Sequence, residues 1–390
     1  MESYNVCVEK SVSRKEITDF LVKIFEPYNK NARRAFDIMF DYEPSLSAEN
    51  FLIARSSQGA LIGLVRIVDR QLLIGGALLN VGGISSVSVL PEWRKKCVCS
   101  LLMKKAHALM KERGKDIAVL YGRRAMDGFY TRYGYYGIGQ YIDLEANVPQ
   151  SRRGKLKCVS FKGTKEQAQF VMRFYKKEYL FLTGSIVRTP KIWQYLFAQM
   201  RESSGKLKLF LFFEGKNPAG YCLVREDKII ELSLLEKHYA DFLGFLKLLK
   251  IAAFSIHPQH PFFRYCRFRI STTILKERFA LNGGYMARLI NTESFISKLG
   301  PSLAQRAGIL GLGNKTLNVL GQKIFLRDGK VRMTKEAPDI YFKNKSLAVR
   351  VLLGVSPLAS AWDARWNSKK PWIPYLWLEG DFYTCAWDEI

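Results

Sequence analysis

Three consecutive cations, Arg94-Lys95-Lys96, stand between a β-branched apolar run and an amphipathic helical pattern. The run Ile84-Ser85-Ser86-Val87-Ser88-Val89-Leu90 follows Gly82-Gly83 and ends at Pro91, which reads as a mostly buried strand. Beyond Cys97, the residues Val98, Leu101, Leu102, Leu109 and Met110 share one helical face. Lys104, Lys105, Lys111 and Glu112 face out, and Gly114 ends the helix. The basic turn therefore lies where a strand hands over to a helix N-terminus. Free backbone N–H groups and the positive end of the helix dipole favour an anion there. Further on, Gly128-Phe129-Tyr130-Thr131-Arg132-Tyr133-Gly134-Tyr135 carries a phenol ahead of an Arg-aromatic-Gly-aromatic turn. A phenol has an ordinary pKa of about 10 and donates a proton at neutral pH. The alternative role for Tyr130 is that of a core aromatic.

The turn Arg94-Lys95-Lys96-Cys97-Val98-Cys99, preceded by Val87-Ser88-Val89-Leu90-Pro91, resembles motif A of the GNAT acyltransferases. In that family Arg/Gln-x-x-Gly-x-Gly/Ala cradles the pyrophosphate of acetyl-CoA. Both small positions are Cys here, although Gly tolerates positive φ and lets the backbone approach a phosphate closely. The stretch Met126 to Tyr135 is similar to the family's later signature, in which Tyr130 takes the place of the acid that protonates the departing CoA thiolate. The resemblance implies cofactor contacts at Val87, Ser88, Val89, Arg94, Lys95, Lys96, Cys97, Val98, Cys99, Ser100, Ala125 and Met126. It implies acetyl-CoA as co-substrate, no metal, and direct transfer to a primary amine of a small molecule, peptide or protein lysine. A non-catalytic descendant whose CoA turn is degraded by Cys97 and Cys99 is the second reading. A basic nucleic-acid or membrane-surface binder is the third.

The elements that must position these groups follow in order. Ser13-x-x-Glu16 has capping-box spacing ahead of a helical pattern, and 32–40 is a second helix. Strands are expected at 51–55 and 60–68, then, after Asp69-Arg70-Gln71, at 72–81; another covers 117–121. This order resembles a complete GNAT domain over residues 1–148. After a basic, glycine-containing linker, helices at 166–178 and 189–200 precede strands at 207–213, 219–224 and 229–235 and a helix at 239–250. That plan, spanning 155–284, resembles a degenerate second GNAT-like domain, because no phosphate turn follows its third strand. Gly283-Gly284-Tyr285-Met286-Ala287-Arg288 resembles the junction that opens the last, sterol-carrier-like domain of the enhanced-intracellular-survival acetyltransferases, here 285–390. A helix at 292–299 ended by Pro301, strands at 316–326, 331–334 and 340–342, and a helix at 345–353 are expected there. The fold class is thus α+β, with α/β mixed sheets: tandem GNAT-like domains followed by a sterol-carrier-like domain.

The aromatic tail, Trp372 to Ile390, is expected to dock. By resemblance the α-carboxylate of Ile390 receives the amine's proton, with Asp388 and Glu389 as neighbouring alternatives. A carboxylate with a pKa near 3.5 is a weak base for an ammonium, so it acts through water or by charge attraction.

Composition bounds the remainder. The net charge of +26 is spread over scattered basic pairs rather than one stripe, which supports only diffuse phosphate contact and no specific nucleic-acid site. No apolar run reaches the roughly 18 residues of a membrane span. Seven scattered cysteines suggest neither a disulfide framework nor a zinc site, and fit a reduced, cytoplasmic setting. His257 and His260, with no Cys or carboxylate beside them in sequence, are not read as metal ligands. A homo-oligomer is compatible with all of this.

Overall fold

The computed structural model describes residues 3–9, 11, 13–26, 32–122, 128–146, 155–203, 205–248, 253–269, 273–279, 281–355, 358, 364–377, 385 and 388. The first part runs β1 (Tyr4–Val8), α1 (Arg14–Phe25), α2 (Ala32–Tyr42), β2 (Phe51–Ser56), β3 (Leu61–Ile74), β4 (Ala77–Val89), α3 (Val98–Glu112) and β5 (Ile117–Gly122). A 3-10 turn at Tyr130–Tyr133 leads to β6 (Tyr136–Gly137) and β7 (Gln140–Ala146). Next come β8 (Leu156–Ser160), α4 (Lys165–Tyr179), α5 (Pro190–Glu202), β9 (Leu207–Glu214), β10 (Asn217–Arg225), β11 (Lys228–Leu234) and α6 (Tyr239–Leu248). They are followed by β12 (Ala253–Phe254), α7 (Pro261–Arg269), β13 (Thr273–Phe279), β14 (Gly284–Leu289) and α8 (Thr292–Ile309). The last part is β15 (Thr316–Val319), β16 (Gln322–Phe325), β17 (Val331–Met333), β18 (Ile340–Phe342), α9 (Ala348–Leu352), β19 (Ala364–Trp366) and α10 (Ile373–Leu376).

These strands make three mixed sheets. The first has the order β1-β2-β3-β4-β5-β14-β6, the second β13-β7-β12-β11-β10-β9-β8, and the third β17-β16-β15-β18-β19. β7 follows β6 in sequence yet lies in the second sheet, while β14 returns to the first and inserts between β5 and β6. The first two sheets are therefore each completed by chain that the other's half of the sequence supplies.

Side-chain caps start four of the helices. Ser13 Oγ accepts from the Glu16 N–H, but the Glu16 carboxylate turns to Arg55 instead of closing the capping box. Thr164, Thr189 and Asn291 cap α4, α5 and α8 in the same way.

In four places the strands and helices run differently from the sequence reading. β3 passes straight through Asp69-Arg70-Gln71, because Arg70 pairs with the buried Glu43 and the Gln71 carbonyl accepts from the Val187 N–H. The hairpin instead turns at Gly75-Gly76, both at positive φ. Gly82-Gly83 lies within β4 rather than before it; a Cβ on Gly82 would stand 2.8 Å from the Met110 side chain, so glycine lets α3 pack close. Pro301 sits inside α8, beside Gly300, whose missing side chain admits the Gly329 backbone. Finally, residues 316–326 are two strands, split by a turn at Leu320-Gly321 with φ of 49° and 79°.

The long β3–β4 hairpin joins the three parts. Its far end pairs with residues 184–187 by backbone hydrogen bonds, and Ser302 of α8 donates to the Gly75 carbonyl. Leu72, Ile74, Leu79 and Val81 share one apolar core with Phe295, Leu299 and Leu303 of α8 and with the third sheet.

Three histidines are built into this frame as neutral rings. The N–H groups of Gln259 and Phe262 donate to Nδ1 of His257 and His260, so Nε2–H donates to the carbonyls of Thr183 and Leu232. Burial holds His107 and His260 down to about 3 and His257 to about 4. The folded state therefore binds fewer protons than the unfolded chain below the ordinary value of about 6.5. Glu178, raised to about 7 by burial and then by Glu236, works in the opposite sense. The expected result is a melting temperature that is steady above about pH 6.5 and falls between pH 6.5 and 5 with a net uptake of about two protons on unfolding. His260→Gln should remove about one of them; an unchanged slope would contradict this account.

Candidate functional site

β4 and β5 pair in parallel only at Val81–Ile117, Gly82–Ala118 and Gly83–Val119. Beyond Gly83 the two strands diverge, and the edge of β4 facing β5 has no strand partner among the described residues. On its other edge β4 stays paired with β3 as far as Val89, through a bulge in which β4 carries one residue more than β3. Ser86, in the bulge, takes a φ of 55°, and Ser88 Oγ donates to the Ser86 carbonyl at 2.9 Å. Val87 and Val89 are half-buried and Ser88 is buried.

After a 3-10 turn at Pro91–Trp93, residues 94–97 deliver the chain to α3. Lys95 and Cys97 both have φ of 61°. Cys97 is the N-cap residue and offers no side-chain hydrogen bond, and no acidic residue stands in the first turn of α3. The first N–H groups of the helix are thus left for an outside acceptor. Arg94, Lys95, Lys96 and Cys97 are exposed around them, Val98 is buried in the core, and Ser100 is exposed. The turn is held from behind. Tyr4 of β1 donates to the Lys96 carbonyl at 3.0 Å, Lys96 Nζ lies 4.8 Å from the Trp93 ring, and Arg94 Nε reaches the Val89 carbonyl at 3.4 Å.

Tyr130 begins the 3-10 turn that follows β5 and is 8% exposed. Its ring stands 3.7 Å from where a Cβ on Gly122, the last residue of β5, would be. Burial, with the neighbouring Cys99 and Tyr133, pushes its phenol up to about 12. Cys99 turns inward toward Tyr133 while Cys97 faces solvent, so the two cysteines have separate surroundings. Tyr133 OH and Ser100 Oγ are 3.1 Å apart, linking this turn to the first turn of α3. Ala125, Met126 and Ile390 lie outside the described residues.

Several contributors are invisible to a local reading. Arg288 of β14 donates to the Tyr133 carbonyl and to His107 Nδ1 at 3.1 Å, and His107 Nε2 stands 2.9 Å from Tyr135 OH. Since a guanidinium only donates, His107 carries its proton on Nε2. This chain of contacts fixes the tyrosine turn against α3. A groove of about 430 Å³ runs beside it, lined by Ser100, Lys104, Lys111, Arg132 and Arg288, and extends the basic character of the turn along the helix. Glu231, Cys385 and Asp388 bring their ligand atoms within 4.8 Å of one another, but both carboxylates are engaged by Arg188.

Residues 10–138 match the acetyltransferase (GNAT) domain family. No curated protein matches the sequence. Solved structures similar over nearly the whole chain include a GCN5-related N-acetyltransferase from Anabaena variabilis, with 13% identity, 98% of this chain and 99% of that one covered, and a TM-score of 0.72. A probable N-acyltransferase from Enterococcus faecalis is 14% identical, with 97% of each chain covered and a TM-score of 0.72. Eis1 from Mycobacterium abscessus is 16% identical, with 94% of each covered and a TM-score of 0.62. At such identities the likeness establishes the fold. Residues 10–138 thus form an acetyltransferase (GNAT) domain within a chain whose overall fold is that of these structures.

A left-handed residue that is not glycine costs about 1–2 kcal/mol, part of which glycine's own flexibility takes back. Cys97→Gly should therefore raise stability by about 0.5–1 kcal/mol in denaturant titration. A loss of stability would mean that the Cys97 side chain supports the turn.

Proposed function

We propose that this acetyltransferase uses acetyl-CoA to acetylate a primary amine by direct attack, with the donor's pyrophosphate on the turn from Arg94 to Ser100. The observation that carries this reading is the uncapped, cation-ringed start of α3 at the mouth of the gap between β4 and β5. Cys97 does not close it: the thiol is exposed and caps nothing.

In this reading the free edge of β4 at Val87, Ser88 and Val89 holds the donor's arm, and a backbone N–H there polarises the thioester carbonyl. Ala125 and Met126 complete the donor's contacts. The amine nitrogen bonds to the carbonyl carbon, the C–S bond breaks, and the sulfur leaves as thiolate. The amine's proton passes toward the α-carboxylate of Ile390 or through water. Tyr130 faces the departing sulfur. A phenol near 12 is a weaker acid than a thiol of ordinary pKa about 8.5, so full proton transfer is uphill. Tyr130 therefore serves by donating a hydrogen bond to the developing thiolate while keeping its proton. No covalent acyl-enzyme is needed, and holding amine and thioester together supplies much of the rate.

The whole-chain likeness to Eis1 supports reading 155–284 as a second GNAT-like unit without a phosphate turn and 285–390 as a sterol-carrier-like unit. The cysteines among the described residues are all free thiols, which supports a reduced cytoplasmic setting. No helix among the described residues is long and apolar enough to cross a membrane.

Calorimetric titration should show acetyl-CoA binding, and none at millimolar donor would end this reading. Tyr130→Phe should lower kcat about 100- to 1000-fold with acetyl-CoA affinity preserved, since a single donor to developing charge is worth that order. Unaltered turnover would remove Tyr130 from the reaction.

A further inference from the structure

Arg66 lies in the middle of β3 and is 6% exposed. It stands opposite Ser85, two residues beyond the last pairing of β4 with β5. Gly63 and Gly82 direct their Cβ positions at α3, toward Val98 and Leu102 and toward Met110. By strand alternation Ser85, and Arg66 across from it, face the other side of the sheet. Arg66 Nη2 reaches Ser85 Oγ at 3.4 Å, a weak contact. Nε and Nη1 are buried and have no hydrogen-bond partner among the described residues.

Every described carboxylate in the neighbourhood is already engaged. Glu43 takes Arg70 on both oxygens at 2.8 Å and also accepts from Ser45. Asp388 is held by Arg188 at 2.8 and 2.6 Å. Tyr195 of α5 and Arg70 complete the electrostatic surroundings, and burial pulls the Arg66 pKa below its ordinary value. A walled-in guanidinium whose nearest counter-charge, Glu43, is bonded to another arginine is a costly arrangement, relieved where a ligand supplies the missing acceptor. Ser85 and Ser86 beside it are partly exposed, so solvent lies close to the guanidinium. The donor's charged groups belong at the start of α3, on the opposite face. Since every described carboxylate nearby is engaged, the other substrate is the remaining source of an anion that the proposed reaction brings to this face.

We propose that Arg66 receives an anionic group of the acyl acceptor, which is therefore an amine that also carries a carboxylate. This rests on the N-acetyltransferase reading above. An arginine fork matches a carboxylate with two parallel hydrogen bonds, and the discrimination between a carboxylate and its neutral amide falls on the same atoms.

The test compares α-, β- and γ-amino acids, each against its own carboxamide, in thiol-release assays. Wild-type enzyme should prefer the acid by about tenfold or more in kcat/KM, as charge-assisted hydrogen bonds allow. Arg66→Gln should bring that ratio close to one, chiefly by raising KM for the acid, and Arg66→Lys should keep part of it. Acetyl-CoA affinity, measured in parallel, should be the same in all three proteins. Independently of turnover, malonate should raise the melting temperature of the wild type but not of Arg66→Gln, whose free form should itself melt higher. Equal use of acid and amide by the wild type would overturn the proposal. So would an equal loss on both in Arg66→Gln, or a lower melting temperature for that variant with no difference in malonate response. If acetyl-CoA fails to bind, or no amine of the panel is acetylated, the transferase reading is what fails, and the malonate comparison still decides the role of Arg66.

Discussion

Parallel pairing between β4 and β5 stops after Gly83, and the rest of the molecule is arranged around the wedge that opens there. Two constraints force the separation. β4 is bound along its other edge to β3, and the extra residue at Ser86 bends it away from the sheet plane. β5 is bound along its far edge to β14, from Gly122–Gly284 down to Ile117–Leu289, and cannot follow. Each strand thus has one satisfied edge, and the unpaired backbone that remains faces the same gap. A sheet tolerates such a gap where side chains, water or a bound polar ligand satisfy the exposed backbone groups. The gap ends where α3 begins, so a ligand lying along β4 meets the helix's uncapped N–H groups next.

Backbone strain collects at the same place. Among the described residues, five that are not glycine have positive φ, and Ser86, Lys95 and Cys97 are three of them. Residues in such conformations persist when their surroundings over-determine them. Here the surroundings are specific. Tyr4 ties the Lys96 carbonyl to β1, Trp93 is buried beneath the turn, and Lys105 Nζ donates to the Val6 carbonyl, binding α3 to the same strand. β1, at the edge of the sheet, therefore buttresses the turn although it contributes no group to the chemistry. On the opposite side of the gap, the Arg288–His107–Tyr135 chain does the corresponding work for the tyrosine turn.

How much of this could be read from the chain follows from how local each signal is. The basic turn was legible because strand, turn and helix are adjacent in sequence and each leaves its own period. The same holds for the cap at Ser13, whereas Thr164 and Thr189 are recognised as caps only in the structure. The unbroken course of β3 was hidden because Arg70 looks like loop polarity until Glu43 is known to meet it inside the fold. Pro301 looks like a helix stop because the close approach of Gly300 and Gly329 backbones is a tertiary fact. In sequence Arg288 belongs only to a junction resemblance; that its strand sits beside β5 and braces Tyr133 depends on a pairing across much of the chain. Arg66 gave no signal at all. An arginine between Val65 and Ile67 reads as one outward residue of an alternating strand, and only burial on both faces makes it notable.

The tail shows the same logic at the level of the whole chain. Arg188 binds Glu231 and Asp388 through bidentate contacts, and its guanidinium carbon lies 4.0 Å from the Tyr175 ring centroid and 4.6 Å from that of Trp193. Tyr221 OH donates to Glu231, so the carboxylate that belongs to the second sheet is satisfied without Asp388. Burying a further carboxylate there adds little net stability, because desolvation offsets most of the attraction. Its effect is one of address. Arg188 offers Asp388 a guanidinium here, and the Cys385 thiol donates to the Ile230 carbonyl beside it. A tail held by apolar contact alone could slide by a residue; a buried carboxylate on a buried guanidinium cannot, since each shifted register strands a charge. Asp388 is thereby fixed at a known point, close enough to Arg70 for the two charges to interact.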